Sequence, residues 1–257
     1  EWVRGERIVL QRNENYWGPK PTVKKLVYQI VPETSTRVAM LRSGQLDIAY
    51  SPTPIDIKAL EADPNTAVDR PISTRKIFVG INTQVDDLKD RRVRQAFNYA
   101  VDKKAITEKI LFGVAEPLTA PMSPILFGHT PMEIQYEHNP EKAKALLEEA
   151  GFDMDRTVKM MTPTGRYTYD KQVAEAIQAF LQAIGVKVSL RTYDWPTYIG
   201  LTSRPLDQAE HELYLIGWGA PYLDADFSLF MYFSSYVQPP RGLGATFYTN
   251  PEFDKAT

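Results

Sequence analysis

The chain has 257 residues, 43% hydrophobic and 24% charged, with 30 basic side chains against 32 acidic ones and a net charge of −2. That size suits one large domain or two modest ones, with the composition of an ordinary globular protein. There is no basic excess to neutralise a nucleic-acid backbone and no apolar run of membrane-spanning length, and the absence of cysteine removes disulfides, thiolate metal sites and cysteine nucleophiles.

In chain order, Arg7–Gln11 reads as a strand, and Thr22–Val31 as a second one carrying Val23, Leu26, Tyr28 and Ile30. Pro32-Glu33-Thr34-Ser35 opens a helix through Arg42 that Gly44 stops, and Leu46–Tyr50 alternates like a further strand, so a β-α-β unit is expected here. A short helix follows over Ile55–Ala62. Val68–Pro71 and Lys76–Ile81 read as extended, with a domain boundary near Ser73-Thr74-Arg75. Val93, Phe97, Ala100 and Val101 recur at helical spacing, and the basic run Arg91–Arg94 reads as a solvated helix start. Prolines 117, 121, 124 and 131 mark an irregular stretch. Asn139-Pro140-Glu141 then starts a helix that Gly151 ends.

A second β-α-β unit comprises the strand Val158–Met161, an amphipathic helix over Tyr169–Ile184 and the strand Val186–Leu190. A short helix, Trp195–Leu201, precedes the strand His211–Gly217. That strand runs into Gly217-Trp218-Gly219 and a turn bearing Tyr222, Asp224 and Asp226. Strand ends are where α/β proteins place ligands, and this one offers flat faces with polar tips and two acceptors. The chain starts without methionine and stops inside a helix opened by Asn250-Pro251-Glu252, which reads as a piece of a longer protein.

Five stretches carry a family resemblance: Asn13–Gly18, with its Tyr16-Trp17 pair; Arg92–Asp102, reading RVRQAFNYAVD; Asn139–Phe152, reading NPEKAKALLEEAGF; Gly217-Trp218; and Asn250–Asp254. In this order they resemble the family 5 extracellular solute-binding proteins of ABC importers, which include oligopeptide, dipeptide, glutathione and nickel binders. The resemblance implies an α/β fold of the periplasmic-binding-protein-like type II, two-lobed with mixed sheets flanked by helices. Residues 1–72 would be a remnant of the first lobe, 73–76 the hinge region and 77–257 most of the second lobe. It further implies a binding protein rather than an enzyme, with no cofactor and no resident metal. A monomer is expected, periplasmic or extracellular, with the full-length protein either free or lipid-anchored, that captures a peptide-like solute and passes it to a membrane ABC permease.

Carried over by position, Trp195 and Trp218 match pocket-lining tryptophans of the peptide binders. Arg204 lies near a basic residue that holds the ligand carboxylate. Tyr222 is a further candidate wall, and Asn82 a candidate amide donor or a turn residue. Peptide binders place an aspartate three residues after the tryptophan, for the ligand α-ammonium, and here that position is Pro221. Loss of such a charge-assisted bond costs about 1.5–3 kcal/mol, roughly tenfold to a hundredfold in affinity. Asp224 or Asp226 is the candidate replacement, and non-peptide solutes (metal complexes, glutathione-like molecules) stay open beside peptides. A hydrolase ranks behind. His129, His138 and His211 are read as surface residues without helical zinc spacing, Ser51 as a loop residue, and the pairs Asp86-Asp87 and Glu148-Glu149 as solvated. A ligand-sensing domain of a regulator ranks last, since nothing basic supports it.

Overall fold

A computed structural model describes all residues, 1–257. The chain separates into two compact units, residues 1–69 and 70–257.

The first unit is built on an antiparallel meander of β1 (Trp2–Val3), β2 (Arg7–Gln11) and β3 (Lys25–Gln29), with β2 in the centre and Ile8 facing Tyr28 in the register. Arg37 ties the following turn by donating to the carbonyls of Val31 at 2.7 Å and Pro32 at 2.8 Å. Helix α1 (Thr34–Arg42) ends at Gly44, whose φ of +72° is the left-handed value that terminates helices. Helix α2 (Pro54–Glu61) takes Pro54 in its first turn, where no backbone donor is needed. The strand expected over Leu46–Tyr50 does not form, so the first β-α-β unit is absent. Its alternation supplies the propensity, but a strand exists only by pairing, and the sheet here consists of β1, β2 and β3 with no partner for this segment. Ile48 and Tyr50 accordingly lie exposed.

The second unit is a three-layer α/β/α arrangement around a mixed sheet in the order β4-β7-β5-β6. Its strands are β4 (Arg75–Ile81), β5 (Thr157–Pro163), β6 (Lys187–Tyr193) and β7 (Leu213–Gly219). β5 runs parallel to β6 and β7, whereas β4 pairs antiparallel with β7 from Arg75↔Gly219 to Ile81↔Leu213. The expected second β-α-β unit is β5, α7 (Asp170–Ala183) and β6.

Between β4 and β5 lie α3 (Asp86–Lys89), α4 (Arg91–Ala100), α5 (Lys103–Ala105) with a π-helical turn after it, and α6 (Pro140–Ala150). Asp90 caps α4 by accepting from Arg92 N at 2.8 Å, and Asn139 caps α6 by accepting from Lys142 N at 2.9 Å. The basic run is partly structural, because Arg94 donates to the carbonyls of Leu88 and Lys89, each at 2.7 Å.

Strand pleating sorts two cores onto the two faces. Val158, Met160, Leu213 and Leu215 pack with Val93, Phe97, Leu147 and Leu181 of α4, α6 and α7. Met161, Tyr214 and Ile216 point the other way. They meet Tyr198 of α8 (Trp195–Thr202) and Tyr232 of α9 (Asp226–Phe233). The chain closes with α10 (Pro251–Ala256), capped by Asn250 through Glu252 N at 3.0 Å. His211, expected on the surface, is 3% exposed: the segment around Ala245–Phe247 covers it, and its Nε2 lies 2.8 Å from the Ala245 carbonyl.

A candidate ligand edge at the carboxyl ends of the strands

Parallel β5, β6 and β7 all finish at one edge of the sheet, and antiparallel β4 begins there. The turn after β5 therefore meets Trp195, just past β6, and Gly217, beside Trp218 at the end of β7. That turn carries Arg166 and Tyr167, and a single carboxylate holds it. Asp170, buried at the start of α7, accepts the backbone N–H groups of Gly165 (3.2 Å), Arg166 (2.8 Å), Tyr167 (2.9 Å) and Lys171 (2.9 Å). Four donors on one anion fix the loop far more tightly than its glycine and threonines suggest. Tyr167 then donates its hydroxyl to the Gly217 carbonyl at 3.2 Å. Gly217 has to be glycine for that approach, because a Cβ there would lie 2.7 Å from the Tyr167 ring.

Two aromatic groups result. In the first, Trp195 stacks with Tyr198 at 5.9 Å and meets Tyr167 edge-on at 5.9 Å. The Arg166 guanidinium lies 4.6 Å from the Trp195 ring centre and 5.6 Å from that of Tyr167, and Arg75 stands 6.0 Å from Tyr167. Both arginines are exposed and neither is paired with a carboxylate, so their forks stay available to an incoming anion. In the second group, Trp218 stacks on Phe227 at 5.4 Å and meets Tyr232 edge-on at 5.3 Å, while Tyr222 leans on Phe227 at 5.4 Å. Lys76, the partner of Trp218 in the β4–β7 register, lies 5.9 Å from the Tyr232 ring. Burial pushes the Lys76 ammonium down to about 8.

The residues singled out in the sequence thus divide. Trp195, Trp218 and Tyr222 belong to this edge. Asp224 and Asp226 occupy the turn into α9, where Asp224 accepts from Asp226 N at 3.0 Å and the chain pairs alongside Phe127. Arg204 and Asn82 are not brought to it. α8 spans about 12 Å at 1.5 Å per residue, and it leads from the end of β6 back toward the start of β7. Arg204, beyond it, binds Glu210 at 2.6 Å. Asn82 follows the far end of β4, where its amide donates to the His211 carbonyl at 3.2 Å and its Oδ1 accepts from Gln84 N at 3.0 Å. Sequence reading missed Arg166, Tyr167, Asp170, Arg75 and Lys76. The signal for the first two was the rule applied to Trp218, a Gly-bearing turn directly after a strand.

The chain belongs to the bacterial extracellular solute-binding proteins, family 5 (the family's middle region), whose profile matches residues 1–239. It is 29% identical over 229 residues to a dipeptide-binding protein of Escherichia coli K12, covering 88% of this chain and 42% of that protein. It is 32% identical to heme-binding protein A of Haemophilus influenzae, covering 88% of this chain and 41% of that one. Identity to the nickel-binding periplasmic protein of Escherichia coli K12 is 34%, with 83% and 43% covered. Among solved structures, the ABC transporter-associated periplasmic binding protein DppA of Helicobacter pylori, in complex with the peptide STSA, superposes with a TM-score of 0.84. Its identity is 30%, and 99% of this chain and 49% of that one are covered. The fold is that of type II periplasmic binding proteins, and the chain spans about half the length of the relatives it matches. No helix is long and apolar enough to cross a membrane.

Proposed function

We propose that this chain forms part of the solute-binding component of an ABC importer, which captures a peptide-like solute between two lobes and passes it to a membrane permease, in the periplasm or outside the cell. The observation that carries this reading is the carboxyl edge of the mixed sheet, where two unpaired guanidiniums flank Tyr167 and Trp195 beside the Trp218 group. Such an edge has flat walls for apolar side chains and a preorganised fork for a carboxylate. The resemblance to dipeptide and peptide-complexed binding proteins supports the same solute class. In this reading Trp195, Trp218 and Tyr222 are walls. Arg166, with Arg75, takes the carboxylate role expected of Arg204, and Asp226, exposed at the start of α9, serves a ligand ammonium in place of the residue at Pro221. Residues 1–72 belong to one lobe and 77–257 to the other, around a hinge near 73–76. No bond of the solute is broken, and the protein acts as a monomer.

Calorimetry with tri-alanine, followed by mass spectrometry of the recovered ligand, tests the proposal. Binding with intact recovery is expected. Arg166→Ala is expected to weaken binding by roughly tenfold to a hundredfold. A cleaved peptide, or unchanged affinity in the variant, would overturn it. A second reading, capture of a metal complex, is favoured by Pro221 and by the nickel-binding relative. No group of three or more His, Asp or Glu side chains converges, so the metal would arrive already chelated. Tight binding of a nickel–histidine complex in the same calorimeter, with none of tri-alanine, would select this reading.

A further inference from the structure

We propose that the layer between β4, β7 and α9 is a second anion subsite, in which the Lys76 ammonium and the Trp218 indole N–H hold a carboxylate, so that the solute is an acidic peptide carrying two carboxylates. This deepens the solute-capture reading and rests on it.

Lys76 and Trp218 face each other in the β4–β7 register, so their side chains leave the same face of the sheet. Lys76 is 4% exposed. Its Nζ and the Trp218 Nε1 are both buried and both without a hydrogen-bond partner. Tyr232 touches both, and its hydroxyl is unpartnered too, as is that of Ser228 one turn earlier on α9. An ammonium and an indole nitrogen can only donate. The hydroxyls can accept, but neither completes a bond here. No carboxylate joins the group, and burial pushes the Tyr232 phenol up, so it stays neutral and the layer carries one uncompensated positive charge. An unpaired buried ammonium is costly, and a carboxylate supplies what both nitrogens lack: two oxygens with lone pairs and a negative charge. The approach is from the carboxyl edge. Lys76 is the second residue of β4, and Trp218 is only partly buried and stacks on Phe227. The exposed Arg75–Arg166 corner remains for the other carboxylate.

Three measurements on the purified protein decide it. Calorimetry compares Ala-Glu-Ala with its neutral isostere Ala-Gln-Ala. The acidic peptide is expected to bind about tenfold to a hundredfold more tightly, and Lys76→Met is expected to abolish that preference. Proton–nitrogen NMR follows the Trp218 indole N–H during titration with glutarate and with glutaramide. Glutarate alone is expected to shift it, and not in Lys76→Met. The glutarate–glutaramide comparison on the unaltered protein decides the matter even if the variant folds poorly. Peptides that bind alike, with a silent indole, overturn the subsite and leave solute capture standing. A glutarate shift without peptide binding overturns solute capture and leaves the anion subsite. Silence in every arm overturns both.

Discussion

His211 shows how a single residue couples burial to pH. Its Nε2 lies against the Ala245 carbonyl, its ring stacks on Phe247, and its Nδ1 is buried without a partner. Burial holds its pKa below the ordinary 6.5. The unfolded chain therefore binds the proton first, and stability falls as pH drops through 6.5 toward the depressed value. A His211→Gln protein should lose that part of the acid slope, read as thermal midpoints between about pH 7 and 5. Lys76 works in the other window. Its folded value is about 8 against 10.5 unfolded, so its cost is fully present below 8 and fades as pH rises toward 10.5. Lys76→Met should stabilise the protein by about 1–3 kcal/mol at neutral pH, with the gain shrinking in alkaline buffer. Denaturant unfolding at several pH values measures it. Neither residue was legible as buried: Lys76 reads as a polar strand start, and His211 as one of three scattered histidines.

At the scale of elements, the β4–β7 pair depends on one glycine. Gly80 faces Tyr214, and a Cβ there would lie 2.2 Å from the Tyr214 ring, which is itself fully buried. Gly80→Ala should cost about 1–3 kcal/mol by overpacking. Gly200, in the last turn of α8, has open space around its Cβ position, and Gly200→Ala should instead gain up to about 0.5–1 kcal/mol from helix propensity. Urea midpoints with unchanged slopes would separate the two signs. The helices were largely readable because their stops are local chemistry: Asn139, Pro140 and Gly151 bracket α6 without help from the rest of the fold. The strand expected over Leu46–Tyr50 failed because strand identity lies in the partner. Helix α9 went unread for a related reason. Its run of aromatic and aliphatic residues, Asp226–Phe233, has little sidedness, and packing beneath β7 decides its form.

For the whole molecule, burial is divided unevenly between the two units. Within residues 1–69 only Pro54, Ile57 and Leu60 are buried, and β3 is exposed at every position. The second unit holds both cores that sandwich the mixed sheet. Residues 70–257 expressed alone should unfold in one cooperative thermal transition, and residues 1–69 alone should show none. Circular dichroism on the two pieces tests this.

What the sequence by itself determined is local or ordered along the chain: helix caps and stops, the second β-α-β unit, the family motifs in register, and the aromatic character of Trp195, Trp218 and Tyr222. These follow from hydrogen bonds and periodicities that span only a few residues. Tertiary structure alone decided which charges meet the aromatic residues. Sequence proximity pointed to Arg204, which is engaged with Glu210. Strand order brought Arg166, Arg75 and Lys76, the latter two about 140 residues from Trp218 along the chain, to one edge. Coulombic partners are set by distance in space, and the register that places Lys76 opposite Trp218 exists only once the sheet has formed.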